Sequence, residues 1–290
     1  MKKNKKILYT LVMLVLLICT IAFQSSANVL TITCVTLTFD NLPEGFDGVT
    51  IVQLTDLHSK DFGKGNQKLL RAIRDAKPDY IFCTGDIVDR MDTDLSVPFD
   101  LLTTLSVDYP VFYSEGNHEQ DNLILRDSKN LTELLRELDM TMLYNEKTTL
   151  ERQGDSLDLY GFYPKREWEY KSLWNLFAPE ITDAILLRDL GESDPERFTL
   201  LLAHDPNGLP KYANWGADLV LSGHIHGGLI RLPFVGGVLS PYFEFFPEYD
   251  AGEFTYGDTT LFLGRGIGGN YIPRVNNPPE LVVITLKKGG

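Results

Sequence analysis

The sequence predicts an α/β fold in which two β-sheets pack together and helices flank them. Two observations carry this prediction. In the first half of the chain, apolar runs of strand length alternate with segments of helical periodicity, and in the second half strand-like runs predominate. The 290 residues suit one large domain or two small ones, and a composition of 43% hydrophobic and 23% charged residues is ordinary for a globular protein with a sizeable core.

The first half supplies strands and helices in turn. Val29–Phe39 alternates apolar and polar residues, which is typical of a half-buried strand. Further strands are predicted at Val49–Leu54, Tyr80–Cys83 and Val111–Tyr113. Helices are predicted around Leu69, Leu70, Ile73 and Ala76, over Phe99–Leu105, and after the capping pair Asn130 and Glu133, where Leu131, Leu134, Leu135 and Leu138 follow at helical spacing.

The second half contains five predicted strands, at Leu157–Phe162, Phe198–Ala203, Asp218–Leu221, Thr260–Leu263 and Leu281–Leu286. Residues 233–250 are predicted to be a loop rich in proline, glycine and aromatic residues. Its aromatic side chains either pack onto the sheet, which we favour, or form a lipid-facing rim. They are Phe234, Tyr242, Phe243, Phe245, Phe246 and Tyr249.

The N-terminal residues 1–27 are predicted to be a membrane anchor or a signal peptide, and residues 28–290 the catalytic domain. Four lysines precede the uncharged run Ile7–Phe23. Ser25 and Ala27 would suit a signal-peptidase site, whereas the length of the run favours an uncleaved single-span anchor. Either outcome predicts a body outside the cytoplasm, at the cell membrane if the anchor is retained and secreted if it is cleaved.

The rest of the chain is strongly acidic. The net charge is −13, and without the four N-terminal lysines the chain carries 23 basic and 40 acidic side chains, a net of −17. Nucleic-acid binding needs a basic surface, so no nucleic-acid partner is expected. Cys34 and Cys83 are predicted to be small buried hydrophobic residues rather than a disulfide.

Five short polar segments each follow an apolar strand, and they contain all five histidines of the chain. They are Asp56-Leu57-His58, Gly85-Asp86-Ile87-Val88-Asp89, Gly116-Asn117-His118-Glu119, His204, and Gly223-His224-Ile225-His226. Polar residues at the carboxyl ends of several strands converge on one crevice of an α/β sheet. Carboxylate, imidazole and amide ligands suit manganese, iron, magnesium or zinc, and a single carboxylate can bridge two such ions.

These segments, in this order, resemble the calcineurin-like metallophosphoesterases over roughly residues 48–270. The resemblance is strongest to the membrane-associated bacterial phosphodiesterase branch. It rests on Thr55–His58, on Ala203-His204-Asp205-Pro206, on Gly223–Gly228 running on to Arg231-Leu232-Pro233, and on the late Gly264-Arg265-Gly266 and Asn277-Pro278-Pro279-Glu280. Two positions differ, because Ile225 and Leu229 stand where the branch usually has Thr and Gln. The family does not use these two positions as ligands.

The resemblance implies a four-layer α/β/β/α sandwich of two mixed sheets with a binuclear metal site at the strand carboxyl ends. Asp56, His58, Asp86 and His226 would hold the first divalent ion, and Asp86, Asn117, His204 and His224 the second. The ions, manganese, iron or zinc, would share a water and yield a hydroxide nucleophile. His118 would protonate the leaving group, and Asp89 would hold His118 in place. For Asp89, a turn-capping role is the alternative.

The expected activity is hydrolysis of a phosphate ester, first of all a phosphodiester. Three alternatives stay open: a hydrolase of a lipid-linked pyrophosphate such as a UDP-2,3-diacylglucosamine, a phosphomonoesterase, and a non-catalytic binding module that carries metal. The substrate phosphate is predicted to contact Arg265 or Arg231, although either could be an ordinary surface arginine.

Overall fold

The computed structural model describes residues 29–122, 138, 140–164, 181–269 and 274–290, together with positions 6, 9, 10 and 13. The helix predicted after Asn130 lies outside the described residues except at Leu138. The predicted N-terminal segment 1–27 also lies outside them, apart from those four early positions.

The predicted single-pass location at the membrane is wrong on the evidence of the described helices. None of the helices in this part of the chain is long and apolar enough to cross a bilayer. The longest of them, Ser96–Asp108, has 13 residues. At 1.5 Å per residue it spans about 20 Å, which falls short of a bilayer core of about 30 Å.

Fourteen strands and five α-helices lie within the described residues. The strands are β1 Thr31–Phe39, β2 Thr50–Leu54, β3 Tyr80–Thr84, β4 Val111–Ser114, β5 Thr141–Met142, β6 Glu146–Arg152, β7 Asp155–Phe162, β8 Thr199–Ala203, β9 Leu219–Ser222, β10 Ile230–Leu232, β11 Gly236–Leu239, β12 Gly252–Tyr256, β13 Thr259–Leu263 and β14 Glu280–Lys288. The helices are α1 Gln67–Ala76, α2 Ser96–Asp108, α3 Asn117–Asp121, α4 Asp183–Leu190 and α5 Leu209–Trp215.

The described strands form two six-stranded mixed sheets and one two-stranded ribbon. Sheet A has the order β1-β14-β2-β3-β4-β5, in which β2 to β5 run parallel and β14 runs antiparallel to β2. Sheet B has the order β12-β13-β9-β8-β7-β6, in which β13, β9, β8 and β7 run parallel between two antiparallel edge strands. Strands β10 and β11 make the ribbon.

Three apolar clusters separate the layers of the fold. In the middle cluster, side chains of both sheets meet, for example Phe82 of β3 and Leu200 of β8. A second cluster packs α1 and α2 on the outer face of sheet A, and a third packs α4 and α5 on the outer face of sheet B. The predicted four-layer α/β/β/α sandwich with two mixed sheets is therefore confirmed.

Two smaller predictions are wrong. Residues 233–250 are not all loop, because Gly236–Leu239 pairs with Ile230–Leu232. Cys34 is exposed, since it lies on the outward face of the edge strand β1, whereas Cys83 is buried as predicted. Neither thiol is in a disulfide.

Candidate metal centre

The seven predicted metal ligands follow directly on strands of both sheets. Sheet A places Asp56 and His58 after β2, Asp86 after β3, and Asn117 at the start of α3 after β4. Sheet B places His204 after β8, and His224 and His226 after β9. All seven side chains are buried, and the two sheets therefore contribute to one centre.

In the first predicted ligand group, Asp56 and two imidazoles lie close together. His226 Nε2 lies 3.3 Å from Asp56 Oδ1 and 3.1 Å from His58 Nε2. Asp86 Oδ2 lies 3.9 Å from His58 Nε2. The donor atoms of Asp56, His58 and His226 all lie within 4.8 Å of one another, which is close enough to surround one ion.

The second predicted group closes around the other side of Asp86. His204 Nε2 lies 3.1 Å from Asp86 Oδ2. The donor atoms of Asp86, His204 and His224 lie within 4.8 Å of one another. The carboxylate of Asp86 is thus in reach of both ligand groups, as a bridging ligand would be.

The backbone of the centre is held in an unusual conformation. Five of the ligands have positive φ: Asp56 (51°), His58 (46°), Asp86 (55°), His224 (78°) and His226 (54°). Left-handed backbone at non-glycine residues is strained, and such residues cluster at functional sites where the surrounding structure imposes them. This backbone conformation lets the ligand side chains of one short turn point toward the same centre.

Motif glycines permit the close approach of these turns. A Cβ on Gly116 would collide with the carboxylate of Asp86, and one on Gly223 would collide with Thr55 and Asp56. The turn after β4 can therefore touch the turn after β3 only if it carries glycine. The same holds for the turns after β9 and β2.

The donor set fits a divalent metal. Asn117 Oδ1 is buried and has no hydrogen-bond partner among the described residues, which is costly unless something else satisfies it. His204 Nδ1 donates to Thr84 O at 2.7 Å, which leaves Nε2 to face Asp86. Fixing one ring nitrogen by a backbone carbonyl is the usual way a metal-ligating histidine is oriented.

Burial and charge set the protonation of the centre. Burial lowers the pKa of His224 and of His226 well below the usual value, so both are neutral, as ligation requires. Burial would also lower the pKa of His204, but the facing carboxylate of Asp86 outweighs it and raises that pKa to about 10. Metal binding between Asp86 and His204 is therefore expected to release the proton of His204.

His118 and Asp89, the predicted acid and its partner, lie beside the second group. His118 Nε2 is 3.9 Å from Asp86 Oδ2, and His118 Nδ1 is 3.4 Å from Asp89 Oδ2. Burial would lower the pKa of His118, but the charges of Asp86 and Asp89 outweigh it and raise the pKa. Asp89 also accepts from Met91 N at 2.9 Å, and its other oxygen lies 3.5 Å from His58 Nδ1. The carboxylate therefore combines turn capping with contact to the imidazoles.

A cavity of about 230 Å³ opens onto the centre, and its walls contain two residues that sequence reasoning missed. Arg90 lines it, with its Nε 3.2 Å from His118 Nε2. Tyr242 also lines it, stacked on His224 with 4.6 Å between ring centroids. The signal for Arg90 was its place directly after the Gly85–Asp89 segment. The signal for Tyr242 was its place in the aromatic segment.

The two arginines that the sequence suggested for the substrate phosphate do not line this cavity. Arg231 is paired with Asp250 at 3.0 Å and donates to Gly227 O. Arg265 is paired with Glu280 at 2.7 Å. Both have structural partners, as Arg90 does in Asp121 at 3.3 Å, so only their position outside the cavity wall distinguishes them from Arg90.

Glu119 and Arg274 are further buried groups that pattern reasoning did not single out. Glu119 Oε2 accepts from Asp86 N and Gly116 N at 2.9 and 2.8 Å, and Oε1 accepts from Ile87 N at 2.7 Å. Arg274 Nη2 lies 3.0 Å from His226 Nδ1. Glu119 ends the Gly116–Glu119 segment, which was a usable signal, whereas nothing local marks Arg274.

Comparison with known proteins gives concordant matches. The sequence model of the calcineurin-like phosphoesterases matches residues 49–228. The uncharacterized metallophosphoesterase YkuE of Bacillus subtilis (strain 168) is 31% identical over 85% of this chain and 82% of its own. Phosphodiesterase YaeI of Escherichia coli (strain K12) is 30% identical over 81% of each. The UDP-2,3-diacylglucosamine pyrophosphatase LpxG of Chlamydia trachomatis is 26% identical over 84% of this chain and 86% of its own.

Proposed function

Because the chain belongs to the calcineurin-like phosphoesterase family and is a metal-dependent phosphoester hydrolase, we propose that it hydrolyses phosphodiesters at a centre of two divalent ions. The observation that carries the proposal is the carboxylate of Asp86, whose Oδ2 lies 3.9 Å from His58 Nε2 of the first ligand group and 3.1 Å from His204 Nε2 of the second. We assign residues 28–290 as the catalytic domain.

Asp56, His58, Asp86 and His226 would hold one ion, and Asp86, Asn117, His204 and His224 the other. Two ions so placed supply an activated water and offset the negative charge that develops on the phosphoryl group. The carboxylates and the neutral imidazoles suit manganese, iron or zinc. The protein adds a buried, rigid donor set, because most of these ligands are fixed by strained turns between glycines.

His118 would donate a proton to the leaving group, since its pKa is raised and it lies at the wall of the cavity. Asp89 would be a positioning residue, because its Oδ2 lies 3.4 Å from His118 Nδ1, the nitrogen that also faces Arg90 N at 3.1 Å. Arg90 replaces Arg231 and Arg265 as the candidate for binding the phosphate, because its guanidinium lies in the cavity wall beside His118. For His118 to donate a proton from Nε2, the Arg90 Nε–H that faces this nitrogen at 3.2 Å would have to turn to the phosphate.

The similarity to YaeI, whose name states a phosphodiesterase, supports a diester substrate. The similarity to LpxG supports the second candidate, hydrolysis of a lipid-linked pyrophosphate of the UDP-2,3-diacylglucosamine kind. Both reactions use the same centre, and they differ in what must be accommodated beyond the phosphate.

The test combines metal analysis with a comparison of substrates. The purified chain, loaded with manganese and desalted, is expected to retain two ions, and Asp86→Asn to retain fewer. Asp100→Asn, on the exposed face of α2, is the matched control. Turnover of a chromogenic diester should exceed that of the matching monoester and of a nucleotide diphospholipid.

Retention of one ion by the wild-type chain, or a preference for the monoester, would refute the proposal. Faster cleavage of the nucleotide diphospholipid would favour the second candidate. Failure to release product above a metal-only control would favour the non-catalytic binding module.

A further inference from the structure

One small unit of the fold exposes an unusual number of large apolar side chains. It comprises the β10–β11 ribbon and the segment that follows it. We call its six exposed members the apolar rim: Leu232, Phe234, Val235, Phe243, Phe245 and Phe246. Phe234 is fully exposed, and Phe245 and Phe246 are 70% and 62% exposed. Isolated exposed apolar residues are ordinary, whereas a contiguous apolar patch marks a binding surface.

Backbone contacts hold the members of the apolar rim together. Val235 N donates to Leu232 O at 3.2 Å, which forms the turn of the ribbon. Phe246 N donates to Val238 O at 2.9 Å, and Phe245 bridges to Leu239, so both phenylalanines return to strand β11. The six side chains therefore belong to one structural unit rather than to separate loops.

Three of the exposed phenylalanines are held in a strained backbone. Phe234, Phe243 and Phe246 have φ of 67°, 62° and 54°. Bulky residues rarely adopt the left-handed region, and such strain persists where surrounding structure imposes it and function uses it. Because these three side chains are exposed, packing onto the sheet, the arrangement favoured from the sequence, is wrong for them.

The apolar rim adjoins the mouth of the catalytic cavity. Pro241 and Tyr242 line that cavity, and Tyr242 stacks on His224. The next residue, Phe243, is exposed and belongs to the rim. A ligand that extends from the cavity past Tyr242 would reach the apolar rim first at Phe243, the neighbouring residue.

The size of the cavity and the charge of the segment indicate what the rim binds. A cavity of about 230 Å³ is smaller than the roughly 300–1,000 Å³ that encloses a drug-sized ligand, so a larger ester must extend outside. The ribbon and the segment up to residue 246 contain one acid, Glu244, and one base, Arg231, whose charge is paired with Asp250 at 3.0 Å. Proteins that bind anionic lipid surfaces combine apolar with basic residues. The chemistry therefore favours an apolar chain of a single substrate molecule over a lipid surface.

We propose that the apolar rim binds the apolar portion of an amphiphilic phosphate ester whose phosphate occupies the metal centre. This inference rests on the proposed phosphodiesterase function and adds the substrate class to it. The substrates are phosphodiesters in which one ester group carries an alkyl or acyl chain.

The test is a series of 4-nitrophenyl alkyl phosphodiesters with methyl, butyl and octyl groups, each assayed below its critical micelle concentration. A fully buried methylene is worth about 4-fold in binding, so an octyl chain in partial contact should raise kcat/KM at least ~10-fold over methyl. In Phe245→Ser/Phe246→Ser, and separately in Phe234→Ser, the octyl-to-methyl ratio should fall to within ~3-fold. Val107→Ser, which changes a residue that is 81% exposed on α2, should keep the wild-type ratio.

Each failure has a distinct signature. If the wild-type chain cleaves none of the diesters, the phosphodiesterase function itself fails. If it cleaves all three equally, or if the serine variants keep the wild-type ratio, the apolar rim does not bind substrate. Equal cleavage together with rim-dependent sedimentation on phosphatidylglycerol vesicles would overturn the proposal in favour of a lipid surface. Thermal melting of each variant verifies that it folds.

Discussion

Replacement of Glu119 by glutamine should destabilise the protein and weaken its hold on metal. The two carboxylate oxygens of Glu119 accept hydrogen bonds from different groups. Oε1 accepts from Ile87 N and from the hydroxyl of Tyr113, each at 2.7 Å. Oε2 accepts from Asp86 N at 2.9 Å and Gly116 N at 2.8 Å. The side chain thereby connects the turn after β3, which carries the predicted bridging ligand, to the turn after β4.

The magnitude follows from what glutamine can replace. Its one carbonyl oxygen can keep the Oε1 bonds, but its NH₂ group then faces two buried N–H donors. Leaving a buried donor without a partner costs about 1–3 kcal/mol, so two of them cost roughly 2–6 kcal/mol. We expect the free energy of unfolding of the metal-free protein to fall by about 3–4 kcal/mol, toward the middle of that range. Because Asp86 has a strained backbone, loss of its N–H anchor should also lower manganese affinity.

Urea unfolding of the metal-free protein and calorimetric titration with manganese measure the two effects. Glu151→Gln, on the exposed side of edge strand β6, is the matched control and should change neither. Tyr113→Phe removes one hydroxyl donor but leaves both N–H bonds of Oε2, so its cost should be about 1 kcal/mol. If Glu119→Gln loses less than about 1 kcal/mol and binds manganese as the wild type does, the carboxylate does not organise the centre.

Three further predictions concern the site and its surroundings. His118→Asn should retain both metals but lose about 10²–10⁴-fold in kcat on a diester with a poor leaving group, and equal activity would refute its role as proton donor. Arg90→Ala should raise KM for a diester more than Arg265→Ala does, because Arg90 lines the cavity; equal effects on KM would return the phosphate contact to Arg265. Burial raises the pKa of Glu115 in the folded protein to about 7. The carboxyl group therefore contributes its full stability at a pH below its unfolded-state pKa, near 4.5, and this stability is lost as the pH rises toward 7. The free energy of unfolding of Glu115→Gln relative to that of the wild type should therefore increase by up to ~3 kcal/mol from pH 5 to pH 8.5. Urea unfolding that shows the same difference between the two proteins at both pH values would contradict this.

The central strands and the ligand positions could be predicted from the sequence because their signals are local. Buried strands such as Tyr80–Thr84 and Thr199–Ala203 appear as continuous apolar runs, and the polar motifs begin where those runs stop. Parallel neighbours then bring the motifs of each sheet together, and the packing of the two sheets brings the two sets into one centre. The edge strand Glu146–Arg152 gave no such signal, because it is mostly exposed and its residues are mostly polar.

The misses share one physical cause, which is dependence on partners distant in the chain. The pairing of Arg231 with Asp250 and of Arg265 with Glu280 is not indicated by any local pattern, and the phosphate contact expected of either arginine stays a prediction. Arg274 reaches His226 across 48 residues, a contact that no local pattern marks. The phenylalanines of the apolar rim have the composition of core residues, and only the path of the β10–β11 ribbon decides that they face outward.

The division of the ligands between two sheets also sets when the protein becomes functional during its synthesis. His58 and His226 stand 168 residues apart and lie 3.1 Å from each other. A nascent chain that has released strands β2 to β5 presents Asp56, His58 and Asp86 without His204, His224 and His226, the imidazoles that follow β8 and β9 of sheet B. Ion capture must therefore wait until β9 has left the ribosome and docked. Metal binding at the complete centre therefore requires that both halves of the chain have assembled correctly.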